Sequence, residues 1–214
     1  MNKKITPKQA VAKIKSGMTL MIGGFLANGS PIKILDLLAQ SGIKDLTLIC
    51  NDTAYHDKAH GKLIANGQVR KVITSHIGTN SATIEQMNSG VLEVEFVPQG
   101  TLAERIRAGG AGLGGVLTPT GLGTMVEKGK EKITVDGKEY LLEKPLRADV
   151  ALLGASIGDE SGNLIYRGTS QNMNPLMATA ADTVIVEVGE LVATGAFAPE
   201  TIHTPNIFVD FIVA

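Results

Sequence analysis

The chain has 214 residues, 43% hydrophobic and only 19% charged, which excludes a disordered or fibrous protein and predicts one compact domain over residues 1–214. Twenty basic residues against 21 acidic ones give a net charge of −1, so no global field recruits nucleic acid or an anionic membrane. The only cysteine, Cys50, excludes an internal disulfide and fits a reducing compartment. No apolar run approaches the ~20 residues that span a bilayer, and the charged start of the chain leads into no apolar signal segment. Cytoplasm is the expected location.

Thr6-Pro7-Lys8-Gln9 has the form of a capping box and predicts a short helix with Ala10, Val11 and Ile14 on one face, ended by Gly17. Residues 18–22 read as a buried strand, which meets Gly23 and Gly24 before a second helix begins with Ser30 as N-cap and Pro31 in the first helical position. Ile32, Leu35, Leu38 and Ala39 recur at helical spacing, and Gly42 stops that helix. Its free N–H groups point back into the glycine loop, an end that attracts phosphate or carboxylate. Residues 46–50 read as a second strand, with Asn51, Asp52 and Thr53 at its carboxyl end, where open α/β sheets carry ligands.

Residues 69–74 and 92–97 read as further strands, separated by a helix that starts at Asn80 or Ser81 and stops at Gly90. A charged helix over 101–108 runs into seven glycines in the sixteen residues 109–124. Such a run cannot be a packed element; it reads either as a mobile surface loop or as backbone lying close to a ligand or second chain. Asp136-Gly137 between two alternating segments marks a two-residue hairpin over 132–143. Strand character returns at 150–153 and 184–188, with a polar turn at 158–163, a helix opened by Asn174-Pro175, and a last apolar segment at 211–214. The alternation predicts an α/β fold, a mostly parallel layered sheet flanked by helices with a small antiparallel hairpin excursion.

Familiar catalytic signatures fail one by one. Gly24 to Ser30 nearly spells a P-loop, but Ser30 stands where the phosphate-reaching lysine belongs, and Gly23, Gly24 and Gly29 miss the dinucleotide spacing. His56 and His60 are four apart, yet Asp57 replaces the glutamate of a zinc hydrolase and no third ligand follows, so no metal is expected and the pair reads as a solvated helix face. His76 and His203 stand alone and read as structural. No G-x-S-x-G elbow is present, and Cys50 has no recognisable histidine partner.

The apolar triplet Leu20, Met21, Ile22, followed by Gly23-Gly24-Phe25, Gly29 and Pro31, resembles the signature of the family I CoA-transferases, alpha (A) subunit. The resemblance continues through Asn51-Asp52-Thr53, Val97-Pro98-Gln99-Gly100-Thr101, residues 102–115 and residues 159–163, nearly the whole chain. It is strongest towards the acetate and acetoacetate (3-oxoacid) members. It implies that coenzyme A, arriving as an acyl-CoA, is a substrate, that no cofactor is tightly bound, and that short-chain carboxylates exchange CoA by a ping-pong mechanism. In the family the nucleophile is a glutamate of a beta (B) subunit, which passes through a glutamyl-CoA thioester; its motif is missing here, so Glu104, Glu160, Glu187 and Glu190 are not assigned to it. The resemblance further implies two alpha and two beta subunits. On this reading the loop Gly23, Gly24, Phe25, Leu26, Ala27, Asn28 and Gly29 receives CoA, Asn51 and Asp52 position the acid, and residues 109–115 shape the cleft floor at the subunit junction. Gln99 then donates to the oxyanion of the attacked thioester.

Two other readings stay open on the residues themselves. One is a non-catalytic acyl-CoA or nucleotide-binding module. The other is a sugar-phosphate isomerase, for which Lys33 is the only basic residue near the first loop.

Overall fold

The computed structural model describes residues 3–214; Met1 and Asn2, at the start of the charged N-terminal stretch, lie outside them. The first half of the chain runs α1 (Pro7–Val11), β1 (Thr19–Ile22), α2 (Ile32–Ala39), β2 (Leu46–Asp52), α3 (Gly61–Ala65), β3 (Val69–His76), α4 (Ser81–Asn88), β4 (Glu93–Phe96) and α5 (Gln99–Gly110). The second half adds β5 (Val116–Thr118), β6 (Lys132–Val135), β7 (Lys138–Glu143), β8 (Ala148–Asp159), β9 (Leu164–Ile165), α6 (Asn174–Thr179), β10 (Ala181–Val192) and β11 (Phe211–Val213). The strands form a sheet in the order β11-β10-β8-β1-β2-β3-β4, parallel throughout, with β9 antiparallel against β8.

Both faces of the middle of this sheet are covered, which is why β1 and β2 read as near-unbroken apolar runs. Leu20 and Ile22 of β1 join Leu48 and Cys50 of β2 under Ile34, Leu35 and Leu38 of α2, together with Leu63 and Ile64 of α3. Met21 and Ile49 point the other way, into a cluster with Leu102 and Ile106 of α5 and Met177 of α6. The strand order runs outward in both directions from the neighbours β1 and β8, so a crevice opens at their carboxyl ends, above Gly23 and Gly154.

The capping box is present: the Gln9 N–H donates to Thr6 Oγ1 at 3.2 Å, and the Thr6 N–H donates to Gln9 Oε1 at 2.8 Å. The helix stops at Val11, well before Gly17, which takes a φ of +85° in the turn ahead of β1. Ser30 does not cap α2. Its hydroxyl donates to Gly23 O at 2.7 Å, closing the glycine loop on itself, and Pro31 takes the N-cap position without a side-chain cap. The carboxylate of Glu187, on β10, accepts the Ile34 N–H at 3.1 Å instead. Nor does Gly42 end this helix, since Gln40 is its C-cap and bonds back to Leu37 and Leu38.

Asp136 and Gly137 are both left-handed, at φ 49° and 74°, and turn β6 into β7; with β5 they form a separate three-stranded antiparallel sheet. The glycine-rich run is packed only in part, and Gly112, Gly114 and Gly123 have open space beside them, as a surface loop would. Gly109 and Gly110 are the last residues of α5, and a Cβ on them would lie 1.9 Å from Leu146 O and 1.9 Å from Thr179 Oγ1. Residues 116–118 then enter β5.

The polar turn after β8 is organised by Asp159, only 1% exposed. Its Oδ1 accepts the backbone N–H groups of Ser161, Gly162 and Asn163 at 2.9–3.0 Å, and its Oδ2 accepts Asn163 Nδ2 at 2.8 Å. Burial alone would raise this carboxyl, but the donors from Ser161, Asn163 and Gly162 outweigh it and hold it below the usual aspartate value.

Two outcomes follow from this packing. Gly109→Ala forces a methyl into the Leu146 carbonyl and lowers stability by about 1–3 kcal/mol, read as a lower urea midpoint at unchanged m-value. For Asp159 the depressed folded pKa means stability that is present above the unfolded pKa and lost as pH falls through the folded one. The stability gap between wild type and Asp159→Asn is therefore full at neutral pH and closes below the ordinary carboxylate range.

Candidate functional site

The loop between β1 and α2 is tight because its glycines leave no room for side chains. A Cβ on Gly23 would stand 1.6 Å from Asn174 Oδ1, and Gly24 has a φ of +127°. Phe25 and Asn28 exchange backbone hydrogen bonds at 2.9 and 3.0 Å across Leu26 and Ala27. Both central residues are left-handed, at φ 48° and 73°, a conformation that costs non-glycine residues about 1–2 kcal/mol each. The loop is fastened from β8 and α6: Asn174 Nδ2 donates to the carbonyls of Gly29, Gly154 and Ser170 at 3.0, 3.1 and 2.8 Å.

Asn51 and Asp52 are the last two residues of β2 and are 3% and 2% exposed. Asp52 Oδ2 accepts the Leu26 N–H at 3.1 Å and Asn51 Nδ2 at 2.8 Å, while its Oδ1 accepts the Ala54 N–H at 2.8 Å. Asn51 Oδ1 in turn accepts Gln99 Nε2 at 2.6 Å. Gln99 is the first residue of α5, exposed, and keeps a second amide proton beyond this bond. One hydrogen-bonded line thus runs from the strained turn through Asp52 and Asn51 to Gln99.

These groups border a cavity of about 260 Å³. Phe25 and Leu26 supply its apolar side, and Ser75, His76 and Thr79 close it from the end of β3. Ser75 and Thr79 were missed in the sequence and His76 reads there as structural, although Ser75 and His76 end β3 as Asn51 and Asp52 end β2. A second cavity, about 350 Å³, lies beyond the loop between Gly29, Lys33, Gly154 and Glu187. Burial raises the Glu187 carboxyl, against the N–H groups of Ile34 and Lys33. The glycine loop is therefore a partition: Phe25 and Leu26 face one cavity, and Gly29 faces the other.

His56 and His60 do not form a solvated helix face. His56 sits in an exposed turn ahead of α3 and His60 is 1% exposed, its Nε2 donating to Asp52 O at 2.6 Å. Burial lowers the His60 pKa and keeps the ring neutral. His203 is structural as expected, accepting the Tyr166 N–H at 3.0 Å on Nδ1 and stacking on that ring. Burial pushes the Cys50 thiol up, which makes it inert. Among the described residues no group of three or more His, Cys, Asp or Glu is placed to hold a metal ion, and no helix is long and apolar enough to cross a membrane.

Residues 4–214 match the family model of coenzyme A transferase. The chain is 54% identical to the acetate CoA-transferase subunit alpha of Escherichia coli K12, over 99% of this chain and 96% of that one. It is 57% identical to the acetoacetyl-CoA:acetate/butyrate CoA transferase alpha subunit of Clostridium acetobutylicum, over 93% and 91%. Glutaconate coenzyme A-transferase from Acidaminococcus fermentans shares the fold at a TM-score of 0.86 with 23% identity, over 99% of this chain and 75% of that one.

The buried carboxylate yields a direct test. Asp52→Asn keeps the shape but turns one oxygen into a donor, so Leu26 N–H or Ala54 N–H loses its acceptor at a cost of about 1–3 kcal/mol. The expected result is faster amide hydrogen exchange at whichever of these residues loses its acceptor, with β1 and β2 still protected.

Proposed function

The chain belongs to the coenzyme A transferase family, and on that premise we propose that it is the alpha subunit of an enzyme moving CoA between an acyl-CoA and a short-chain carboxylic acid, 3-oxo acids included. The observation that carries this reading is the cavity beside Gln99. Asp52 is its only carboxylate, and both oxygens of Asp52 are occupied by donors from the chain itself. The cavity therefore offers hydrogen-bond donors but no unpaired carboxylate. Glu104, Glu160 and Glu187 border other cavities, in keeping with a nucleophile brought by a beta subunit.

In the proposed reaction a partner glutamate attacks the thioester carbonyl, the C–S bond breaks, and CoA leaves as thiolate from a mixed anhydride. The thiolate then attacks the glutamyl carbonyl, releasing the first acid and leaving a glutamyl-CoA thioester. The second acid runs the same steps backwards. Gln99 uses its remaining N–H on the oxyanion, and Asn51 fixes the direction of that amide. Asp52 acts on the acid only through Asn51 and the Leu26 turn, and the loop 23–29 receives CoA. The subunit names of the relatives support a partner chain, and two alpha and two beta subunits in the cytoplasm complete the reading.

The test is to co-express the chain with the beta-subunit gene beside it, purify the complex, and follow acetyl-CoA loss with acetoacetate or butyrate as acceptor. Turnover by the complex and none by the chain alone is expected; turnover by the chain alone would place the nucleophile here and overturn the reading. Binding of CoA without turnover in either would favour a binding module. In the active complex, Gln99→Ala should lower kcat on the order of 10²-fold with the acyl-CoA KM little changed.

A further inference from the structure

A carboxylic acid entering the cavity beside Gln99 brings a charged group that must be met by donors, preferably a positive one. The lining side chains have mostly spent theirs. Ser75 Oγ donates its proton to Asn51 O at 2.6 Å, and Thr79 Oγ1 donates to Ala54 O at 2.8 Å. Asn51 is buried and divides its amide between Asp52 and Gln99. Asp52 only accepts, and no lysine or arginine borders the space.

His76 is the exception. It is exposed at the end of β3, and its ring takes part in no hydrogen bond or ion pair among those of the described residues. It is the one lining side chain able to carry a positive charge. Gly78 makes room for the ring: a Cβ there would lie 2.9 Å from His76 Cε1 and 3.1 Å from Nε2. Facing it across the cavity are Phe25 and Leu26, and the N-terminal end of α5, which has no side-chain cap, adds a positive field beside Gln99.

We propose that His76 receives the carboxylate of the free acid, with the short alkyl or 3-oxo chain lying against Phe25 and Leu26. This rests on the transferase reading above and divides the donors of the cavity in two: Gln99 for the oxyanion, His76 for the incoming carboxylate. A cavity of about 260 Å³ suits an acid of few carbons.

The experiment uses the complex with the beta subunit, with acetate and acetoacetate as probes, and compares wild type with His76→Ala, His76→Phe and His76→Gln. Loss of a charge-assisted hydrogen bond predicts a KM for the acid about tenfold higher or more in the Ala and Phe variants, with kcat and the acyl-CoA KM close to wild type. His76→Gln, which keeps an N–H donor, should recover much of the loss. A KM for the acid that does not move in the Ala and Phe variants while wild type turns over would overturn the role of His76 and leave the transferase reading intact. If wild type shows no turnover, the transferase reading fails, and saturation-transfer NMR of the same complex with acetate decides on His76 alone. Transfer seen in wild type and lost in His76→Ala sustains the inference; equal transfer in both, or none in either, sinks it.

Discussion

The site depends on one buried anion. Asp52 sits at the end of β2 and accepts from Leu26 N–H, Ala54 N–H and Asn51 Nδ2, and each bond to a charged acceptor contributes about 1.5–3 kcal/mol. That is enough to offset the left-handed backbone of Leu26, which on its own would relax. The same carboxylate orients Asn51, and Asn51 orients Gln99. A single side chain thus fixes both the wall of the cavity and, through Asn51, the direction of the Gln99 amide.

The location of that anion follows from the sheet. Because the strands run parallel and both faces are packed, the carboxyl ends of β1, β2, β3 and β8 are the places where backbone leaves the core with polar groups to spare. The edge of the sheet is held by a chain of charges rather than by more core. Lys71 and Arg105 both meet Glu95, at 3.1 and 2.8 Å, and Arg105 continues to the buried Glu143, which also pairs with Lys130. Burial disfavours the Glu95 anion, but the Arg105 and Lys71 donors hold its pKa low. This chain ties β4 and α5 to the small antiparallel sheet, so the start of α5, and Gln99 with it, is braced from behind.

Much of the fold was legible because apolar runs and capping residues are local signals. The Thr6 capping box, the Asp136-Gly137 turn and a helix starting near Asn80 or Ser81 all stand as read. What escaped the sequence was set at long range. β8 and β10 are twelve residues each, longer than the apolar runs read at 150–153 and 184–188, because Ile157, Gly158, Glu190 and Leu191 beyond those runs still pair in register across the sheet. Ser30 looked like a cap, but Gly23 O, brought within reach by the turn, competes for its hydroxyl. Gly109 and Gly110 looked like loop; only the approach of Leu146 and Thr179 explains why glycine is needed there. Asn51, Asp52 and Gln99, singled out by strand-end position and family resemblance, line one cavity, whereas His76 reads as structural in the sequence and joins them only when the end of β3 is set beside that of β2.

The division between spent and unspent donors also bears on the proposed partner subunit. Its own fold consumes the carboxylate, the two hydroxyls and the Asn51 amide of the cavity, and each of those bonds rigidifies the wall. A carboxylate whose two oxygens already accept hydrogen bonds from the chain is held in place and partly neutralised, which weakens it as a nucleophile. A rigid cavity of oriented donors is suited instead to stabilising charge that forms on a bound molecule, where preorganisation saves the cost of turning dipoles during the reaction. On the proposed reading the reactive carboxylate comes from outside this wall, and a two-chain active site is the arrangement in which neither demand compromises the other.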